Sequence, residues 1–140
     1  DESALARLES LQRDGEQSVA DLYELGSVQL RKRLYGQATE TLKRASKRAG
    51  DEPAEARALI ENALGFSLAA QSNYSAAIRH YRSALQAKAD YPVALNNLAF
   101  ALEKQQKGEE ARATYQKVLE LDSSNRTAQK RLKRLDKLAA

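Results

Sequence analysis

Apolar side chains recur along this chain three or four residues apart, and turn residues cut the pattern into short pieces, so it reads as a series of helices. Leu5, Leu8 and Leu11 make the first stripe, in a helix predicted over residues 3–13 and ended by Asp14-Gly15. Ser18 followed by Asp21 reads as a capping pair. The helix it opens runs to about residue 34, with Arg31-Lys32-Arg33 where cations favour the helix dipole. Further helices follow over about 37–49, stopped by Gly50, then 53–70 with Pro53 inside its first turn, 74–87, 92–105, 109–121 and 126–138. The last one closes as the first began, with Leu132, Leu135 and Leu138 at threes and mostly Lys and Arg elsewhere.

The middle of this series is written twice. Leu64 and Leu98, Phe66 and Phe100, Ala77 and Ala111, and Tyr81 and Tyr115 are each 34 residues apart. A third copy lies upstream at an offset of 39: Leu25-Gly26 matches Leu64-Gly65, Tyr35 matches Tyr74, Ala38 matches Ala77 and Ala45 matches Ala84. The five added residues fall in Asp51-Glu52-Pro53-Ala54-Glu55 and lengthen the helix that follows. A fixed interval of this size marks a stacked helical repeat rather than an enzyme domain. Each repeat is an antiparallel pair, helix A then helix B. Gly26, Gly65 and Ala99 on A are expected to meet Ala38, Ala77 and Ala111 on B, where a larger side chain would hold the backbones apart. One pair cannot bury its apolar face alone, whereas three stacked pairs can.

These residues resemble the tetratricopeptide repeat family over roughly residues 19–125. The family pattern has Leu-Gly at repeat positions 7–8, aromatic at 17, Ala at 20, a large apolar or aromatic residue at 24 and Ala at 27. Here the corresponding residues are Leu25-Gly26, Leu64-Gly65 and Leu98-Ala99; Tyr35, Tyr74 and Gly108; Ala38, Ala77 and Ala111; Leu42, Tyr81 and Tyr115; and Ala45, Ala84 and Val118. The family's Trp at position 4 is replaced by Leu22, Glu61 and Leu95, and its Pro at 32 by Gly50, Ala89 and Ser123. The resemblance implies an all-α, right-handed superhelical solenoid. It divides the chain into an N-terminal capping helix (1–18), three repeats (19–52, 58–91 and 92–125) with an inserted turn and helix extension at 53–57, and a basic C-terminal capping helix (126–140).

The resemblance also implies that the A helices line a concave groove binding a segment of a client protein. The groove residues it singles out are Tyr23, Ser27, Asn62, Phe66, Asn96, Asn97, Phe100 and Lys104. Phe66 and Phe100 form a short aromatic ladder, and the asparagines beside them can donate to and accept from an extended peptide. Helical spacing alone also fits a packed phenylalanine, and an asparagine also fits surface polarity or helix-end hydrogen bonding. Members that hold a chaperone's terminal carboxylate use Lys, Asn and Arg where this chain has Tyr23, Ser27, Ala63, Val93 and Asn97, so no chaperone tail is expected here. More narrowly, Asn62 to Ala69, Gln71 to Tyr74, Ala77 to Tyr81 and Ala94 to Ala99 resemble the photosystem I assembly proteins of cyanobacteria and chloroplasts. That implies a client among photosystem I subunits or other assembly factors, and a domain on the stromal or cytoplasmic side of the thylakoid membrane. The broader expectations are a general peptide-binding adaptor, cytoplasmic, or a self-associating module.

Composition removes other classes. There is no cysteine, and one histidine, His80, cannot by itself build a zinc site. Neither a phosphate loop nor a Ser-His-Asp arrangement is legible, so no metal, cofactor or enzymatic activity is expected. The chain opens on Asp1, as a processed or truncated chain does, and any targeting or anchoring segment would have been lost with that start. Residues 1–18 carry five acids against two bases, and residues 125–140 six bases against one acid. The basic end (Arg126, Lys130, Arg131, Lys133, Arg134 and Lys137) reads as a solvated cap or as a contact with an anionic membrane surface. Nucleic acid is not expected, because no aromatic residue follows Tyr115 among those charges.

Overall fold

The computed structural model describes residues 2–14 and 17–139. They form α1 (Glu2–Asp14), α2 (Val19–Arg31), α3 (Tyr35–Arg48), α4 (Ala54–Ala70), α5 (Tyr74–Ala87), α6 (Pro92–Lys104), α7 (Gly108–Leu121) and α8 (Arg126–Ala139). Each helix packs on the next in the chain, and α2 also touches α4 and α4 touches α6. No comparable contact joins α3 to α5 or α5 to α7 among the described residues. The A helices α2, α4 and α6 therefore line the inner side of the curve, and the B helices fan out behind them. The result is an all-α solenoid of stacked helix pairs.

Local chemistry accounts for the helix starts. At α2 the Ser18 hydroxyl accepts from the Asp21 amide at 3.1 Å, and the Asp21 carboxylate accepts from the Ser18 amide at 3.4 Å, a complete capping box. Asn125 caps α8, its side-chain oxygen accepting from the Ala128 amide at 3.0 Å. Pro92 is the first residue of α6, but Pro53 stands one position outside α4, as its N-cap, rather than inside the first turn. The α2 helix stops at Arg31, three residues before the sequence suggests.

It stops there because each A-to-B connection has the same form. Arg33, Ser72 and Gln106 have φ of 62°, 64° and 63°. The amide after each bonds back to the helix: Leu34 to Gln29 O, Asn73 to Leu68 O and Lys107 to Leu102 O, all at 2.9 Å. This is the left-handed helix stop usually built on glycine. None of the three residues is glycine, at a cost of about 1 kcal/mol each.

The close crossings use the expected glycines against larger partners than expected. A Cβ on Gly26 would stand 2.6 Å from the Leu42 side chain, and one on Gly65 2.7 Å from the Tyr81 ring and 3.2 Å from the Ala77 carbonyl. The space left by each glycine is filled by the large residue of helix B, so the crossing is more than an Ala-to-Gly contact. Ala99 takes the same place in the third pair, within the core that also contains fully buried Tyr115.

The ends are closed differently. Leu5 and Leu8 of α1 pack on Leu25 and Val28; the Leu11 side chain and the expected stop at Gly15 lie outside the described residues. Ala128 and Leu135 of α8 enter the main core, with Leu132 packed against it. Leu138 does not follow them: it is 73% exposed, at the rim of an open cavity that it lines with Glu103, Lys104, Gly108 and Arg112. No helix is long and apolar enough to cross a membrane among the described residues.

Candidate functional site

The inner face of α4 and α6 carries an apolar grid. Leu59 and Phe66 are seven residues apart on α4, as are Val93 and Phe100 on α6, which places each pair on one face of its helix. They are 44%, 45%, 58% and 38% exposed, so the phenylalanines stand at the surface rather than in the core. Side chains of this size left in water on adjacent helices are what a protein-binding face presents.

The asparagines next to this grid largely serve the solenoid itself. Asn97 donates from Nδ2 to Asn62 Oδ1 at 3.0 Å, tying α6 to α4. Asn96 donates from Nδ2 to Asn125 Oδ1 at 3.1 Å, the same oxygen that caps α8. Asn62 also lies beside Tyr91, the residue before α6. Burial and the neighbouring Tyr23 hold that phenol above its ordinary value, with Asn62 opposing them. Asn96 thus pins the start of α8 through its Nδ2, while its own Oδ1 is buried without a partner among the described residues. Asn97 likewise uses only its Nδ2 and keeps its oxygen for another partner. Tyr23 and Ser27 are half-buried on α2.

At the far end of α6 the groove becomes cationic. Arg131 of α8 lies over the Phe100 ring, its guanidinium carbon 4.8 Å from the centroid, and Lys104 Nζ stands 5.2 Å from it. Arg131 also makes a two-pronged pair with Glu103, Nε to Oε2 and a terminal NH to Oε1, both at 3.1 Å. Tyr115 donates to Glu103 Oε2 at 2.5 Å, and burial first and then this carboxylate push its phenol far above the usual range. Arg131 is therefore not part of the free basic surface that the sequence suggests. It is a half-buried tie between α8, α6 and α7. Arg126, Lys130, Lys133, Arg134 and Lys137 are exposed.

His80 has a partner that its isolation in sequence conceals. Its Nδ1 is 2.9 Å from Glu61 Oε1, and Ser46 donates to Glu61 Oε2 at 2.6 Å. Burial raises the Glu61 pKa, but the imidazole and the hydroxyl outweigh it, and the net shift is downward. The carboxylate stands between hydroxyl and imidazole, so the serine proton is directed to Glu61 rather than to the base that an activated nucleophile requires. The group joins α3, α4 and α5.

Sequence reasoning passes over Tyr91 and the double duty of Arg131. The family resemblance does place Leu59 and Val93 among the groove positions, 34 residues apart like Phe66 and Phe100.

Known proteins agree with this architecture. A family model described as tetratricopeptide repeat matches residues 68–135. The chain is 33% identical over 118 residues to the uncharacterized protein ycf37 of Cyanophora paradoxa, covering 84% of this chain and 68% of that protein. It is 33% identical over 120 residues to the tetratricopeptide repeat domain-containing protein PYG7, chloroplastic, of Arabidopsis thaliana, covering 85% of this chain but only 39% of that relative. Among solved structures, the first TPR of Spaghetti (RPAP3), bound to an HSP90 peptide, superposes with a TM-score of 0.80 at 21% identity, over 87% of this chain and 94% of that one. MamA gives 0.82 at 18% identity, over 94% and 69%. At those identities the two structures share the fold. From the repeat geometry, the matched model and the ycf37 relative together, the chain belongs to the tetratricopeptide repeat family.

Proposed function

We propose that this domain is a non-catalytic assembly scaffold that holds a segment of a client protein along the inner face of α4 and α6. The observation carrying this reading is the grid of four exposed apolar side chains, Leu59, Phe66, Val93 and Phe100, on two touching helices. The client contacts those side chains, and Asn97 offers its remaining amide capacity beside them. Positive charge at this groove is confined to the Phe100 end, where Arg131 is already engaged by Glu103. The positions that other members use to clamp a chaperone's terminal carboxylate here hold Tyr23, Ser27, Ala63, Val93 and Asn97, so the client is not a chaperone tail.

The finer reading is a client among photosystem I subunits or their assembly factors, at the stromal or cytoplasmic face of the thylakoid membrane. It is supported by the resemblance of residues 62–99 to photosystem I assembly proteins and by the relative named as chloroplastic. The test is affinity capture from a photosynthetic-membrane lysate with the wild-type chain and with Phe66→Ala/Val93→Ser. Both residues are exposed, so the variant keeps its fold. Photosystem I subunits recovered by wild type and at least roughly tenfold less by the variant are the expected result. Equal recovery by both overturns the groove, and recovery of other proteins by wild type alone overturns the photosystem client while keeping the scaffold.

A further inference from the structure

The exposed cations of α8 form a line. Arg126, Lys130, Lys133 and Lys137 are spaced by four, three and four residues, so they share one face of the helix over about 16 Å. All four are exposed. The opposite face carries Ala128 and Leu135 into the core, so the line points away from the solenoid. Nothing in the described structure neutralises it. The one acid of α8, Asp136, is held by Arg112, and the nearby Glu103 is held by Arg131. Residues 125–140 carry six bases and one acid against a net charge of +4 for the whole chain, so the remainder of the molecule is close to neutral.

We propose that this line is a docking surface for an anionic lipid bilayer. The chemistry selects this partner over the other polyanions. The line contains no apolar or aromatic side chain, so it lacks the buried anchor on which a protein interface depends. No aromatic residue lies anywhere in α8, so nothing can stack on the bases of a single-stranded nucleic acid. Three of the four cations are lysines, mobile point charges suited to the diffuse field of a charged plane rather than to two-pronged recognition of one acid. With no apolar side chain in the line to insert, and Leu138 displaced from it around the helix, the chain adsorbs on the headgroups, and salt releases it. This inference is independent of the client groove.

The test is co-sedimentation of the 140-residue chain with vesicles of phosphatidylcholine alone or containing phosphatidylglycerol, at low and high salt. Two variants are compared: Arg126→Gln/Lys130→Gln/Lys133→Gln/Lys137→Gln, and a control with the same charge change spread over the B helices, Lys43→Gln/Lys47→Gln/Arg79→Gln/Lys117→Gln. Circular dichroism establishes that both stay helical. Wild type is expected to bind only the anionic vesicles and to leave them at high salt. The α8 variant is expected to bind on the order of a thousandfold more weakly, and the control to lose far less. Salt-independent binding or no binding by wild type overturns the proposal, as does equal loss by both variants, which would make total charge the cause. Tighter binding to a single-stranded RNA oligonucleotide or to polyglutamate than to the anionic vesicles at the same salt overturns it as well.

Discussion

Phe66 and Phe100 occupy the same place in two stretches of nearly the same pattern, yet their surroundings differ. The Phe66 ring has no cation over it among the described residues, while Phe100 lies under Arg131 and beside Lys104. Three substitutions in the pattern account for the difference. Ala69 and Ala70 of the second pair become Glu103 and Lys104 in the third, and Asn97, which reaches back to the second pair, becomes Arg131 in α8, which reaches back to the third. Position within the repeat fixes where a side chain stands. The element stacked next decides what it meets. One end of the groove is consequently open and apolar, and the other is tied to the final helix.

The crossings of the same two pairs offer the strongest way to break that parallel. Gly65→Ala drives a Cβ into the Tyr81 ring and toward the Ala77 carbonyl, and is expected to lower stability by about 2 kcal/mol in urea unfolding. Ala99→Gly in the third pair meets no clash but gives up helix propensity and one buried methyl, about 1.5 kcal/mol. A Gly65→Ala variant as stable as wild type would mean that the second crossing has room for a Cβ.

The tie at Phe100 comes next. Glu103→Gln removes the charge that Arg131 and Tyr115 share, with an expected loss of about 1.5 kcal/mol. Amide hydrogen exchange should rise in α8 and not in α4; an even rise along the chain would show that the pair does not specifically hold the last helix.

The smallest effect separates Glu61 from Leu95, its counterpart in the third pair. The Glu61 pKa is depressed below the ordinary 4.5, so its stabilisation is complete above that value and is lost as pH falls through the lower folded value. Glu61→Leu, which copies the third pair, should remove under about 1 kcal/mol of this acid-side slope, read from urea midpoints at successive pH values. An unchanged slope would place the acid sensitivity elsewhere.

The helices were legible because their apolar spacing is regular, and the family was legible because small residues are compulsory where helices cross. The partners of Asn62, Asn96 and Asn97 were not legible for a physical reason. Spacing gives the direction of a side chain on its own helix but not the nearest group on the next, and here that group was Asn97, Tyr91 or Asn125. The same gap concealed Glu61 from His80 and Glu103 from Arg131. The A-to-B turns were only half legible, since Arg33, Ser72 and Gln106 carry none of the glycine that normally announces a left-handed residue.

Those turns also bear on how such a molecule can be lengthened. Lys32-Arg33-Leu34, Gln71-Ser72-Asn73 and Gln105-Gln106-Lys107 have almost no residue in common, yet they trace one backbone path with the same hydrogen bonds. The helices on either side impose the connector, and its spelling is free to drift. A duplicated pair can therefore be spliced into the array without rewriting a joint, so the length of the scaffold can change by whole units while each unit retains its own inner surface.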